Sequence, residues 1–112
     1  MKITARKEDE VTILEPKGKI TIGSGDVALR EAVREALEAG SKNILLNLKR
    51  ASRIDSSGMG ELIVAYNSVT DRGGHLKLLN LPPKIHDVLG ITQLITVFEV
   101  FDNEKEALRS FT

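Results

Sequence analysis

Residues able to do chemistry are sparse in this chain, and the densest group of them is the string Ile54-Asp55-Ser56-Ser57-Gly58-Met59-Gly60. A hydroxyl behind a carboxylate and ahead of glycines can act as a nucleophile, cap a helix or accept a transferred group. The nucleophile is the poorest fit, because a nucleophile elbow needs Gly-x-Ser-x-Gly and the first glycine is missing here. His75 and His86 fall in different segments with no acid or hydroxyl spaced to work with them, so general acid–base chemistry has no partner group. Gly23-Ser24-Gly25 lacks the lysine and hydroxyl of a nucleotide loop and reads as a plain turn. Asp26, Asp55 and Asp102 all suit helix starts, where capping accounts for them without a metal. With no cysteine in the chain, thiolate ligation is excluded. These residues predict no catalytic site, no metal and no cofactor.

The elements around Asp55 fix where it sits. Ile44 to Leu48 is apolar at nearly every position, as in a central strand covered on both faces. Beyond Gly58, the positions Met59, Leu62, Ile63, Tyr66 and Val69 mark an amphipathic helix that stops at Gly73-Gly74. Asp55 to Gly58 therefore lies at a helix N-terminus, with Asp55 or Ser56 as its cap. Glycine in a first turn costs up to ~1 kcal/mol relative to alanine, so Gly58 and Gly60 suggest a bare surface that something approaches closely, with Met59 exposed between them. Upstream, Ile3 to Arg6 and Val11 to Glu15 read as a hairpin, a strand-like triplet follows Gly18, and a helix capped by Asp26 buries Leu29, Ala32, Val33, Ala36 and Leu37 before Gly40. Downstream come a strand from His75 to Leu79, a short helix opened by Pro82-Pro83 and stopped by Gly90, and a strand from Val97 to Phe101. Asn103 and Glu106 then have the spacing of a capping box for a closing helix. Ile91 to Thr96 fits either periodicity, and residues 49–54 form no element of their own in this reading. The order ββαβαβαβα predicts an α/β fold with a mixed, largely parallel sheet and right-handed crossovers.

Composition bounds the rest. A chain of 112 residues holds one domain with a real core, here spanning residues 1–112. Sixteen Lys plus Arg balance sixteen Asp plus Glu, which leaves no long-range field to gather nucleic acid or anionic lipid. The N-terminal residues carry charges every few positions, no stretch has the ~20 apolar residues of a membrane span, and cysteine is absent, all of which suits a cytoplasmic protein.

The strand Ile44 to Leu48, a six-residue gap, and then Ile54-Asp55-Ser56-Ser57-Gly58-Met59-Gly60 resemble the signature of the STAS domain, in particular that of bacterial anti-sigma factor antagonists. The resemblance runs the whole chain, through Gly18, the Gly73-Gly74 turn, the strand Leu76 to Leu79 and the final helix. It implies a single small domain with a mixed β-sheet and helices packed largely on one face. It also implies that Ser56, directly behind the aspartate, is phosphorylated by a partner anti-sigma factor that is itself a serine kinase, with a phosphatase to reverse the step. The unphosphorylated form would bind that anti-sigma factor through Asp55, Ser57, Gly58, Met59 and Thr21 and free a sigma factor. Many members carry an acidic residue where this chain has Thr21, a difference that bears on partner identity rather than fold. The alternative is a STAS scaffold or regulatory subunit that binds another protein without a phosphorylation cycle.

Overall fold

Asp9 and Glu10 form the two-residue connection of the opening hairpin. Asp9 takes a left-handed φ of 56°, and β1 (Lys2–Glu8) turns straight back into β2 (Val11–Ile20), antiparallel from Glu8 opposite Val11 to Lys2 opposite Lys17. The computed structural model describes residues 1–112. From β2 the sheet continues in parallel through β3 (Asn43–Asn47), β5 (His75–Leu79) and β6 (Val100–Phe101).

The far end of β2 changes partner. Its pairing with β3 stops at Leu14, and from Gly18, through a bulge before Lys19, it runs parallel to β4 (Ala51–Ile54) and sets Ile20 opposite Ile54. The strand-like triplet read after Gly18 is the end of β2 itself, with no break at Pro16, while β4 is not expected from the sequence. Pro16 and Gly18 read as breakers of a strand, yet Pro16 lies between the two parallel partners of β2, where no ladder asks for its missing N–H. β4 hides because its middle residues, Ser52 and Arg53, are exposed and leave only Ala51 and Ile54 buried.

Parity along the strands builds two cores. Leu14, Ile44, Leu46, Leu76 and Leu78 point to one face, where α1 (Gly25–Glu38), α2 (Ser56–Asp71) and α3 (Pro83–Ile91) contribute Leu29, Val33, Leu62, Val69, Ile85 and Leu89. Val11, Ile13, Leu45 and Leu79 point to the other, and meet Ala107 of the short α4 (Glu104–Arg109) with Phe101, Leu108 and Phe111 beside it. β3 is apolar at consecutive positions because it serves both. The expected mixed sheet with helices largely on one face is what the chain forms.

Several local expectations need correction. Gly40 and Gly73 do end α1 and α2 in left-handed conformations, but Gly90 lies inside α3, which runs on to Ile91; the left-handed residue there is Gln93, with φ 62°. Asp26 is not the α1 cap. It sits in the first turn, where Oδ1 accepts from the N–H groups of Gly23 (3.0 Å) and Val27 (2.8 Å) and ties the loop to the helix. Residues 94–96 form a 3-10 turn, so the last strand shortens to Val100–Phe101. Asn103, not Asp102, caps α4, accepting from the Glu106 N–H at 3.0 Å.

Candidate functional site

Ile20 and Ile54 close the parallel β2–β4 pair, and the chain leaves both strands at the same edge of the molecule. The loop from Thr21 to Ser24 leads into α1, and Asp55 leads at once into α2. Loops beyond the carboxyl ends of parallel strands are where α/β folds place their binding surfaces.

One carboxylate joins the two exits. Asp55 is the N-cap of α2: Oδ1 accepts from the Gly58 N–H at 2.9 Å, while Oδ2 accepts from the Ile22 N–H at 3.0 Å on the neighbouring loop. These donors, Gly58 first and Ile22 second, hold the Asp55 carboxyl below the usual aspartate range. Its backbone is also held, since its carbonyl accepts the Met59 N–H at 2.9 Å as the first helical bond.

The structure separates the residues expected to act together. Ser56 is exposed at the first helical position, Ser57 is half-buried, and Gly60 is exposed with open space where a side chain would lie. Gly58 is not the bare surface expected. It is buried, and a Cβ there would overlap the Ile20 carbonyl oxygen and come within 2.7 Å of Ile54 Cγ1, so glycine is required by internal packing. Met59 is likewise not an exposed tip: it is half-buried against the core, with Sδ 4.0 Å from the Thr92 hydroxyl beyond α3. Thr21 is half-buried, and its carbonyl accepts the Asp26 N–H at 3.0 Å.

Three exposed apolar side chains that sequence reasoning did not single out lie on segments that adjoin this end of α2. Ile22 is 73% exposed on the loop held by Asp55, Val27 is 40% exposed in the first turn of α1, and Ile91 is 83% exposed at the end of α3, next to the Thr92 that touches Met59. The available signal was an isoleucine inside a turn, Thr21-Ile22-Gly23-Ser24, where no core could claim it. Exposed isoleucine and valine on segments that meet the start of α2 make a surface suited to a protein partner. No group of three or more His, Asp or Glu side chains is gathered as metal ligands, and no helix is long and apolar enough to cross a membrane.

The family model of the STAS domain matches residues 2–107. The chain belongs to the STAS domain family. Among relatives of this STAS domain, the anti-sigma F factor antagonist of Paenibacillus polymyxa is 28% identical over 99 residues, covering 88% of this chain and 84% of the relative. The anti-sigma-B factor antagonist of Bacillus subtilis is 32% identical over 83 residues, or 74% of each chain. A crystal structure of a Thermotoga maritima protein superposes with a TM-score of 0.89 at 25% identity, covering 97% of this chain and 93% of that one. The Bacillus cell fate determinant SpoIIAA in its phosphorylated form superposes with a TM-score of 0.76 at 21% identity, covering 99% of this chain and all of that one, 100%.

Proposed function

We propose that this STAS domain is an anti-sigma factor antagonist whose unphosphorylated form binds a kinase-type anti-sigma factor, and in which phosphorylation of Ser56 switches binding off. The observation that carries the reading is the exposed Ser56 at the Asp55-capped start of α2, with exposed Ile22, Val27 and Ile91 on the adjoining segments. The names of the Paenibacillus and Bacillus relatives support the partner class. Asp55, Ser57, Met59 and Thr21 shape the docking surface from beneath, and Gly58 acts by letting α2 approach Ile20. A phosphatase completes the cycle.

The physics of the switch is local. A phosphate brings about −1.5 to −2 charges and three strong acceptor oxygens close to the Asp55 carboxylate. A partner that docks there would have to desolvate that charge. The helix N-terminus tolerates it, worth roughly 0.3 to 1 kcal/mol in favour of an anion, so the domain keeps its fold.

The test is incubation with a cognate anti-sigma kinase and ATP, followed by peptide mapping and a binding titration. Phosphate is expected on Ser56, because Ser57 is half-buried. Ser56→Asp brings one charge and two oxygens, so it should weaken binding in part; a cost of ~1 to 3 kcal/mol raises Kd roughly 5- to 150-fold. Phosphate on Ser57 alone overturns the site assignment. Wild-type affinity for Ser56→Asp places the serine outside the interface and favours a scaffold without a phosphorylation cycle.

A further inference from the structure

β1 is the outermost strand of the sheet, and the hairpin it makes decides which of its peptide groups are free. Across the two-residue connection Asp9-Glu10, Glu8 and Val11 are the pair that exchanges both backbone hydrogen bonds. Alternation then makes Arg6, Thr4 and Lys2 the positions bonded to β2, and turns the N–H and C=O groups of Lys7, Ala5 and Ile3 outward. Pro16 agrees with this phase: it stands opposite Ile3, at a pair where β1 requires no donor from it. The edge thus presents a row of evenly spaced donors and acceptors to another strand.

We infer that this edge pairs with the same edge of a second copy of this chain, antiparallel about a two-fold axis through Ala5. Symmetry sets the rest. Ala5 faces Ala5 of the second copy, Ile3 faces Lys7, Thr4 faces Arg6 and Lys2 faces Glu8, so an opposite-charge pair forms at both ends of the ribbon. Other axes that keep the outward groups paired are worse: one through Thr4 sets Lys2 against Arg6, and one through Arg6 sets that guanidinium against itself. Arg6 is already neutralised within its own copy by Glu8 at 3.2 Å and by Glu104. The pairing also covers apolar surface. Ile3 is only half-buried, Ala5 is exposed, and both line a cleft of about 410 Å³ between β1 and α1, with Leu14, Ala32 and Ala36 across it. The mouths of the two clefts lie side by side in such a dimer. The interface is small, at the weak end of specific association.

Sedimentation velocity on the full chain, from about 5 μM to about 1 mM at low salt, should show mass doubling with concentration, reversed by salt. Ala5→Pro removes one outward donor from each copy and leaves the β1–β2 ladder intact, so Kd should rise on the order of tenfold or more with an unchanged circular dichroism melt. Lys2→Glu and Glu8→Lys should each stay monomeric alone, because like charges then face each other. Mixed in equal amounts they should dimerise again, since opposite charges meet at both ends. A wild-type chain that is monomeric throughout, a dimer that ignores Ala5→Pro, or a charge-variant mixture that stays monomeric each overturns the proposal. The charge variants decide the matter if Ala5→Pro fails to fold.

Discussion

Gly58 and Gly60 are two residues apart in sequence and opposite in physical meaning. A methyl group at Gly58 collides with the Ile20 carbonyl, a backbone atom that cannot swing away, whereas at Gly60 it enters open space. Gly58→Ala should therefore destabilise by about 1 to 3 kcal/mol or more, and Gly60→Ala should stabilise by up to about 1 kcal/mol through helix propensity. Urea denaturation of both variants checks this, and equal shifts of one sign would contradict the packing described for Gly58. Asp55 carries a pH prediction. Its carboxyl is held below the unfolded value by N–H donors, so its contribution to stability is complete above the ordinary aspartate pKa, about 3.9, and is lost as pH falls through the lower folded value. Asp55→Asn keeps an acceptor for one donor only, so it should lie below wild type in urea midpoint at pH 7, with the gap narrowing as pH falls below the ordinary aspartate range. At this scale the sequence was informative about Asp55 and Ser56, whose types and spacing state a helix start. It was silent on Ile22 and Ile91, because exposure of an apolar residue depends on what packs beside it. It misled on Gly58 and Met59, since a glycine that makes room for a neighbouring strand looks the same in sequence as one that leaves a surface bare.

Among the α-helices, α4 is the shortest, and one buried side chain ties it to the sheet. Lys77, in the middle of β5, is buried, and its Nζ donates to the Ser110 carbonyl (2.9 Å) and hydroxyl (3.0 Å), pairs with Glu99 at 2.8 Å and lies 4.7 Å from the Phe111 ring centroid. Lys77→Met keeps the stem but strands the Ser110 carbonyl, and should cost about 1 to 3 kcal/mol. Faster amide exchange confined to residues 104–111 is the expected signature; uniform acceleration would mean that α4 is not a separate unit. Long amphipathic helices and the doubly apolar β3 were legible because their periodicity is strong. β4 was not, since a four-residue strand with an exposed middle carries no period, and the joining of the triplet after Gly18 to β2 was missed because its pairing is with β4.

For the molecule as a whole, two cores flank one sheet, and the site edge is anchored to one of them through Ile20, Ile54 and Met59 while Ser56 stays exposed. Ser56→Asp should accordingly leave the thermal midpoint unchanged or slightly raised, and amide chemical-shift changes should stay within the segments around residues 20–27, 55–60 and 89–92. Changes spread through the sheet would show that the domain responds globally. The bridge from Asp55 to the Ile22 N–H has a further consequence, for divergence between duplicated copies of such a gene. The loop Thr21 to Ser24 is pinned by that bond in its middle and, at its far end, by Gly25, where any Cβ would strike the Lys19 carbonyl. An inserted or deleted residue would break the bond that ties the loop to Asp55, so length is a costly route of variation. Descendants that must recognise different partners are left with side-chain replacement at Thr21, Ile22 and Ser24, an alphabet of three letters in which partner choice can be rewritten while the fold stays untouched.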